Sequence, residues 1–117
     1  MEDKLTNLEY LHTTCNGDHE MVEQIVQMFK EGTSQLMTAI VKNWMERNLE
    51  DLKRNTHKAK SSFRMLGATI TADKLEEIEL GVSTLSDDKI DILLKEIGEE
   101  TYSIFLELQN QNTTSHE

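Results

Sequence analysis

The chain has 117 residues, no proline, 22 acidic against 12 basic residues and a formal net charge of −10. That length suits one domain with a real core, and the charge argues against nucleic acid or an anionic membrane surface as partner, since both are bound through cationic faces. No apolar run approaches the roughly 20 residues that span a bilayer, the N-terminus lacks the layout of a secretory signal, and a single cysteine, Cys15, excludes an internal disulfide and fits a reducing, cytoplasmic compartment.

Apolar residues recur at helical spacing almost throughout, with no alternating strand pattern. Thr6 and Glu9 form a capping-box pattern that opens a short helix through Leu8 and Leu11. Asn16-Gly17-Asp18 reads as a turn and N-cap, followed by an apolar face of Met21, Val22, Ile25, Met28 and Phe29 that ends near Gly32. Thr33 or Ser34 can cap the next segment, with Leu36, Met37, Ile40, Val41 and Trp44 on its apolar side. Asn48 can cap a further helix, with Glu50 and Asp51 near its positive end. This helix runs to about Leu66, where Gly67 can take the left-handed conformation. Thr71 restarts the chain, with a stripe of Leu75, Ile78 and Val82. Ser86 then caps a long helix that turns Ile90, Leu93, Leu94, Ile97, Ile104, Phe105 and Leu108 inward.

Short connections favour antiparallel neighbours. The expected fold is therefore all-α: an antiparallel up-down four-helix bundle with a short additional N-terminal helix. Residues 1–110 form one domain and 111–117 a polar, disordered tail. The methionines at 21, 28, 37 and 45 read as core filler, and Glu76-Glu77 and Glu99-Glu100 as solvated faces. His12, three residues after Glu9, lacks the second Glu-x-x-His of a di-iron bundle. No metal site is expected, and His19 and His116 read as surface residues.

One segment breaks the charge pattern. Lys53 to Ala72 holds five basic residues and no acidic one, in a chain with nearly twice as many acids as bases. Mixed signs would serve solubility better. Leu49, Leu52, Thr56, Ala59, Phe63 and Leu66 are spaced as a buried seam. At about 100° per residue, His57 points roughly 130° away from that seam and should face solvent. Lys53, Arg54, Lys60 and Ser61 are its neighbours three and four residues away. Arg64 lies two turns on, and Lys58 projects to the other side. An exposed imidazole among cations suits phosphoryl transfer: its neutral nitrogen is a nucleophile, and the cations disfavour the protonated ring, attract the anion and stabilise its charge. No glycine-rich phosphate loop supports an ATP site.

The string His57-Lys58-Ala59-Lys60-Ser61-Ser62, followed by Leu66-Gly67-Ala68, resembles the signature of histidine-containing phosphotransfer (HPt) domains. Asn7 to Leu11, Gly17-Asp18, Phe29 and Leu75 to Glu79 also fall where that family carries similar residues. The resemblance implies a phosphorelay intermediate rather than an autonomous kinase. Its histidine takes a phosphoryl group from a receiver-domain aspartyl phosphate and passes it to another response regulator. His57 would be the phospho-acceptor and Lys60 the cation steadying the phosphoryl oxygens, with Lys53, Arg54, Ser61 and Arg64 contacting phosphate or partner. The implied partners are receiver domains and a hybrid sensor histidine kinase. The domain itself would bind no cofactor, Mg²⁺ being supplied by the receiver, and it would act as a monomer. Ser61 stands where the family usually has glycine, and Ala59 where it has a larger apolar residue. The alternatives are a receiver-binding adaptor of the same fold that transfers no phosphate, and a purely structural bundle.

Overall fold

A computed structural model describes the backbone of residues 4–115 and the side chains of residues 4–109. His116 and the end of the expected tail lie outside the described residues. Five helices follow in order: α1 (Glu9–Thr14), α2 (His19–Met45), α3 (Leu49–Met65), α4 (Thr69–Gly81) and α5 (Asp87–Ser115). There is no strand among the described residues, and no helix in them is long and apolar enough to cross a membrane.

The caps expected at Asp18, Asn48 and Ser86 form. Asp18 Oδ1 accepts from the Met21 N–H, Asn48 Oδ1 from Asp51, and Ser86 Oγ from Lys89, each satisfying an otherwise orphaned backbone donor. The capping box at Thr6 does not form. Asn7 Oδ1 accepts from the Glu9 N–H instead, while the backbone N–H groups of Leu5 and Thr6 and the Thr6 hydroxyl all donate to the Glu107 carboxylate on α5. Thr6 therefore ties the N-terminal strap to the last helix.

The expected break at Gly32 is also absent. Helix α2 runs through it, and Val22, Val26, Phe29, Thr33, Ile40 and Trp44 keep one buried seam across the glycine. An exposed interior glycine costs only about 1 kcal/mol, less than an interruption of that seam would cost. Ser34 does not cap; its hydroxyl donates back to the Lys30 carbonyl, as Thr38 does to Ser34. The methionine assignment needs correction too. Met21, Met28 and Met45 are 47%, 69% and 75% exposed, because each lies beside the α2 seam rather than on it.

Helix α2 packs against α3 and α5, α4 against the same two, and α1 against α2. Their facing stripes make one core, in which Leu52, Phe63, Leu66, Leu75, Ile78, Ile90, Ile97 and Ile104 are fully buried. Glu100, read as solvated, reaches back to α4 instead, where it accepts from Thr71 Oγ1 at 2.7 Å and pairs with Lys74.

Gly67 takes φ +69° between α3 and α4. A methyl group there would collide with the backbone of Asn7, whose N–H donates to the Leu66 carbonyl at 2.9 Å. The glycine thus turns the chain and seats the strap. Gly67→Ala is expected to lose ~1–2 kcal/mol of stability to left-handed strain and about 1 kcal/mol more to the displaced hydrogen bond. Urea unfolding of the two proteins measures the difference.

Candidate functional site

Helix α3 turns Leu52, Thr56, Ala59 and Phe63 into the core, as its spacing requires. Thr56 is tolerated there because its hydroxyl donates to the Leu52 and Lys53 carbonyls. His57 consequently faces outward, with its side chain 60% exposed.

Its partner comes from α4. His57 Nδ1 lies 2.7 Å from Glu79 Oε2, and the other oxygen of the same carboxylate accepts from Lys60 Nζ at 2.7 Å. Glu79 is almost buried, and its carboxylate bridges imidazole and ammonium. Lys60 also reaches Glu76 at 3.4 Å, and Arg64 reaches Glu76 at 3.1 Å and Asp73 at 3.4 Å. Partners rise along α3 as they descend along α4, so these two helices run antiparallel.

The open cationic patch expected from α3 alone is therefore incomplete. Carboxylates of α4 neutralise Lys60 and Arg64, and Asp51 on α3 itself pairs with Arg54. Lys53 and Lys58 are exposed and make no ion pair among the described residues. Glu50, Lys53, Arg54, His57, Lys58 and Glu79 line one shallow cavity of about 380 Å³, and Lys58, about 100° round the helix from His57, also lines a groove toward α2. The Ser61 hydroxyl donates weakly to the His57 carbonyl at 3.4 Å, within its own helix. Beside Lys58 and Ser62 an apolar groove runs between α2 and α3, lined by Ile25, Met28, Phe29, Met65 and Leu66.

Glu79 was not singled out by residue-level reasoning. The signal was present: it lies four residues after Leu75 and three before Val82, on the stripe that α4 buries. A carboxylate there needs a partner on the facing helix.

Burial raises the Glu79 carboxyl, but hydrogen bonds from Lys60 and His57 outweigh it and hold the group below its ordinary 4.5. The hydrogen bond to Glu79 holds Lys60 above its ordinary 10.5, despite desolvation. A lowered carboxylate stabilises the fold above its unfolded value and loses that contribution as pH falls through the folded one; a raised lysine does so below its unfolded value, and loses it as pH rises through the folded one. Wild type is therefore expected to be more stable than Glu79→Gln between 4.5 and 10.5. The gap should close in acid, where Glu79 takes up a proton. Urea midpoints of both proteins across pH measure it.

If the ring is neutral, an Nδ1–H that donates to Glu79 leaves the lone pair on Nε2. Nε2 has no hydrogen-bond partner among the described residues. The arrangement offers a fixed tautomer with one free nucleophilic nitrogen on an accessible surface.

The family model described as Hpt domain matches residues 24–110. The chain belongs to the Hpt-domain family. Membership establishes histidine phosphotransfer in two-component systems as its general function, and receiver domains of response regulators or hybrid kinases as the class of partner. Comparisons with curated proteins and with solved structures give no significant match.

Proposed function

We propose that His57 is the phospho-acceptor, taking the group from the aspartyl phosphate of one receiver and delivering it to the aspartate of another. The observation that carries this reading is the free Nε2 of an exposed ring whose Nδ1 is held by a buried carboxylate. The Nε2 lone pair attacks phosphorus as the bond to the aspartyl oxygen breaks, and the bonding pair leaves on the aspartate. Nδ1 keeps its proton, the ring gains a positive charge, and Glu79 faces that charge. The return reaction reverses each change.

Lys60 belongs to the site through Glu79, and the pairs of Arg64 with Glu76 and Asp73 brace α4 against α3. The apolar groove between α2 and α3 gives a receiver a surface to dock on, and Lys58 lines both that groove and the cavity of His57. An antiparallel up-down bundle is part of this reading, supported by the cyclic order in which the four long helices touch. A receiver that brings Mg²⁺ would supply charge neutralisation of the phosphoryl oxygens from its own side. Of the carboxylates that line the cavity with His57, Glu79 is already committed to Lys60 and His57, and Glu50 shares the cavity with the cations Lys53, Arg54 and Lys58.

Incubation with a phosphorylated receiver is expected to place acid-labile, alkali-stable phosphate on the protein, and peptide mapping to locate it on His57. Label on any other residue overturns the assignment. Receiver binding with no transfer, across several receivers, would support the adaptor reading instead.

A further inference from the structure

The cations around His57 fall into two groups by what already holds them. Lys60 is 16% exposed, with its ammonium clamped between Glu79 and Glu76. Arg64 is held by Glu76 and Asp73, and Arg54 by Asp51. Lys53 and Lys58 are held by no acidic group among the described residues, and both line the cavity that contains His57. Lys58 also lines the adjoining apolar groove with Met28, Phe29 and Ser62. It therefore stands between the histidine and the surface that a partner would cover.

We propose that Lys53 and Lys58 hold the phosphoryl group on His57, and that Lys60 is a positioning residue that acts through Glu79. This rests on the phosphotransfer reading above. A cation that stabilises the transferring group has to turn toward the phosphoryl oxygens. If Lys60 did so, it would leave a nearly buried carboxylate without its closest ammonium, beside an incoming dianion. Lys53 and Lys58 can turn without breaking any pair. Lys53 lies one helical turn before His57 on the same face, and Lys58, the next residue along, lies where the His57 cavity adjoins the groove toward α2. Lys60 instead balances the charge of Glu79 in the resting state and fixes the carboxylate that selects the Nδ1–H tautomer. Resting geometry and transfer are thus assigned to different lysines.

Potassium phosphoramidate provides a test that does not need a docked partner. Its P–N bond breaks with loss of ammonia as Nε2 bonds to phosphorus, and the rate is read by ³¹P NMR. Lys53→Gln and Lys58→Gln should each slow phosphorylation about five-fold, and the double variant about 25-fold, as one weak charge contact apiece predicts. Their ring ¹⁵N shifts should match wild type, and since both lysines are exposed, their loss leaves no buried group unpaired. Lys60→Met should slow the reaction and shift the ring ¹⁵N signals, yet cost nothing further when Glu79→Gln is already present. The same panel with a phosphorylated receiver as donor should give the same order.

An unchanged rate in the Lys53 and Lys58 double variant, or an equal Lys60→Met penalty with and without Glu79, overturns the division of roles. Both outcomes leave phosphate on His57, and so leave the phosphotransfer reading intact. Failure of both donors to label His57 overturns both.

Discussion

A His57→Gln variant is expected to fold as the wild type does and to take up no phosphoryl group. The imidazole side chain is 60% exposed and contributes nothing to the apolar seam of α3, which Leu52, Thr56, Ala59 and Phe63 supply on the opposite face. Its one polar contact is to Glu79, whose other oxygen keeps Lys60. Glutamine can still donate to that carboxylate, so no buried charge is stranded. What it lacks is a basic nitrogen: the amide lone pair is delocalised and does not attack phosphorus. Thermal unfolding should therefore differ by no more than the ~0.5 kcal/mol usual for surface substitutions, while uptake from a phosphorylated receiver falls to background. Receiver binding, measured separately, should persist, because the groove lined by Ile25, Met28, Phe29 and Met65 is untouched. Normal uptake by the variant would mean that another residue carries the phosphate.

The contrast between α3 and its surroundings shows which parts of the site could be read from sequence. His57 was legible because helical periodicity fixes which side of α3 is buried once the seam is recognised. Ala59 and Thr56, small or hydroxyl-bearing, fit that seam without disturbing it. Glu79 was less legible, since its role depends on α4 lying antiparallel to α3 at a particular register, and periodicity within one helix carries no register between two. The charge of the patch was misjudged for the same reason. Five bases on one helix look like a cationic field until Glu76, Asp73 and Glu79 arrive from the next. Helix boundaries divided along a similar line. Asp18, Asn48 and Ser86 cap because nothing competes for their side-chain oxygens, whereas Thr6 is taken by Glu107, one hundred and one residues away. Gly32 looked like a stop signal, but the seam through Phe29 and Thr33 continues across it and prevails over local propensity.

Phe63→Ala is the substitution expected to cost the most stability. The ring is fully buried and meets Phe29 edge-to-face, with centroids 5.2 Å apart; Phe29 in turn meets Phe105 at 6.2 Å. This aromatic chain joins α3 to α2 and α2 to α5. Truncation removes the transfer free energy of the ring, leaves a cavity that neighbours fill only in part, and deletes the edge contact, together about 3–5 kcal/mol. Against a total of ~5–15 kcal/mol for a natural domain, that is a large fraction. At about 4 °C per kcal/mol, the thermal midpoint should fall by roughly 12–20 °C. Phe63→Leu, which keeps most of the volume, should lose much less. The functional consequence is specific. Phe63 lies on the inner face of the helix whose outer face carries His57, and the His57–Glu79–Lys60 bridge does not include it. At a temperature where the variant is still folded, phosphoryl uptake per folded molecule should stay within about two-fold of wild type, a change of ~0.4 kcal/mol in the barrier. A much larger loss in the folded variant would mean that packing under α3, and not only the carboxylate bridge above it, sets the position of the ring.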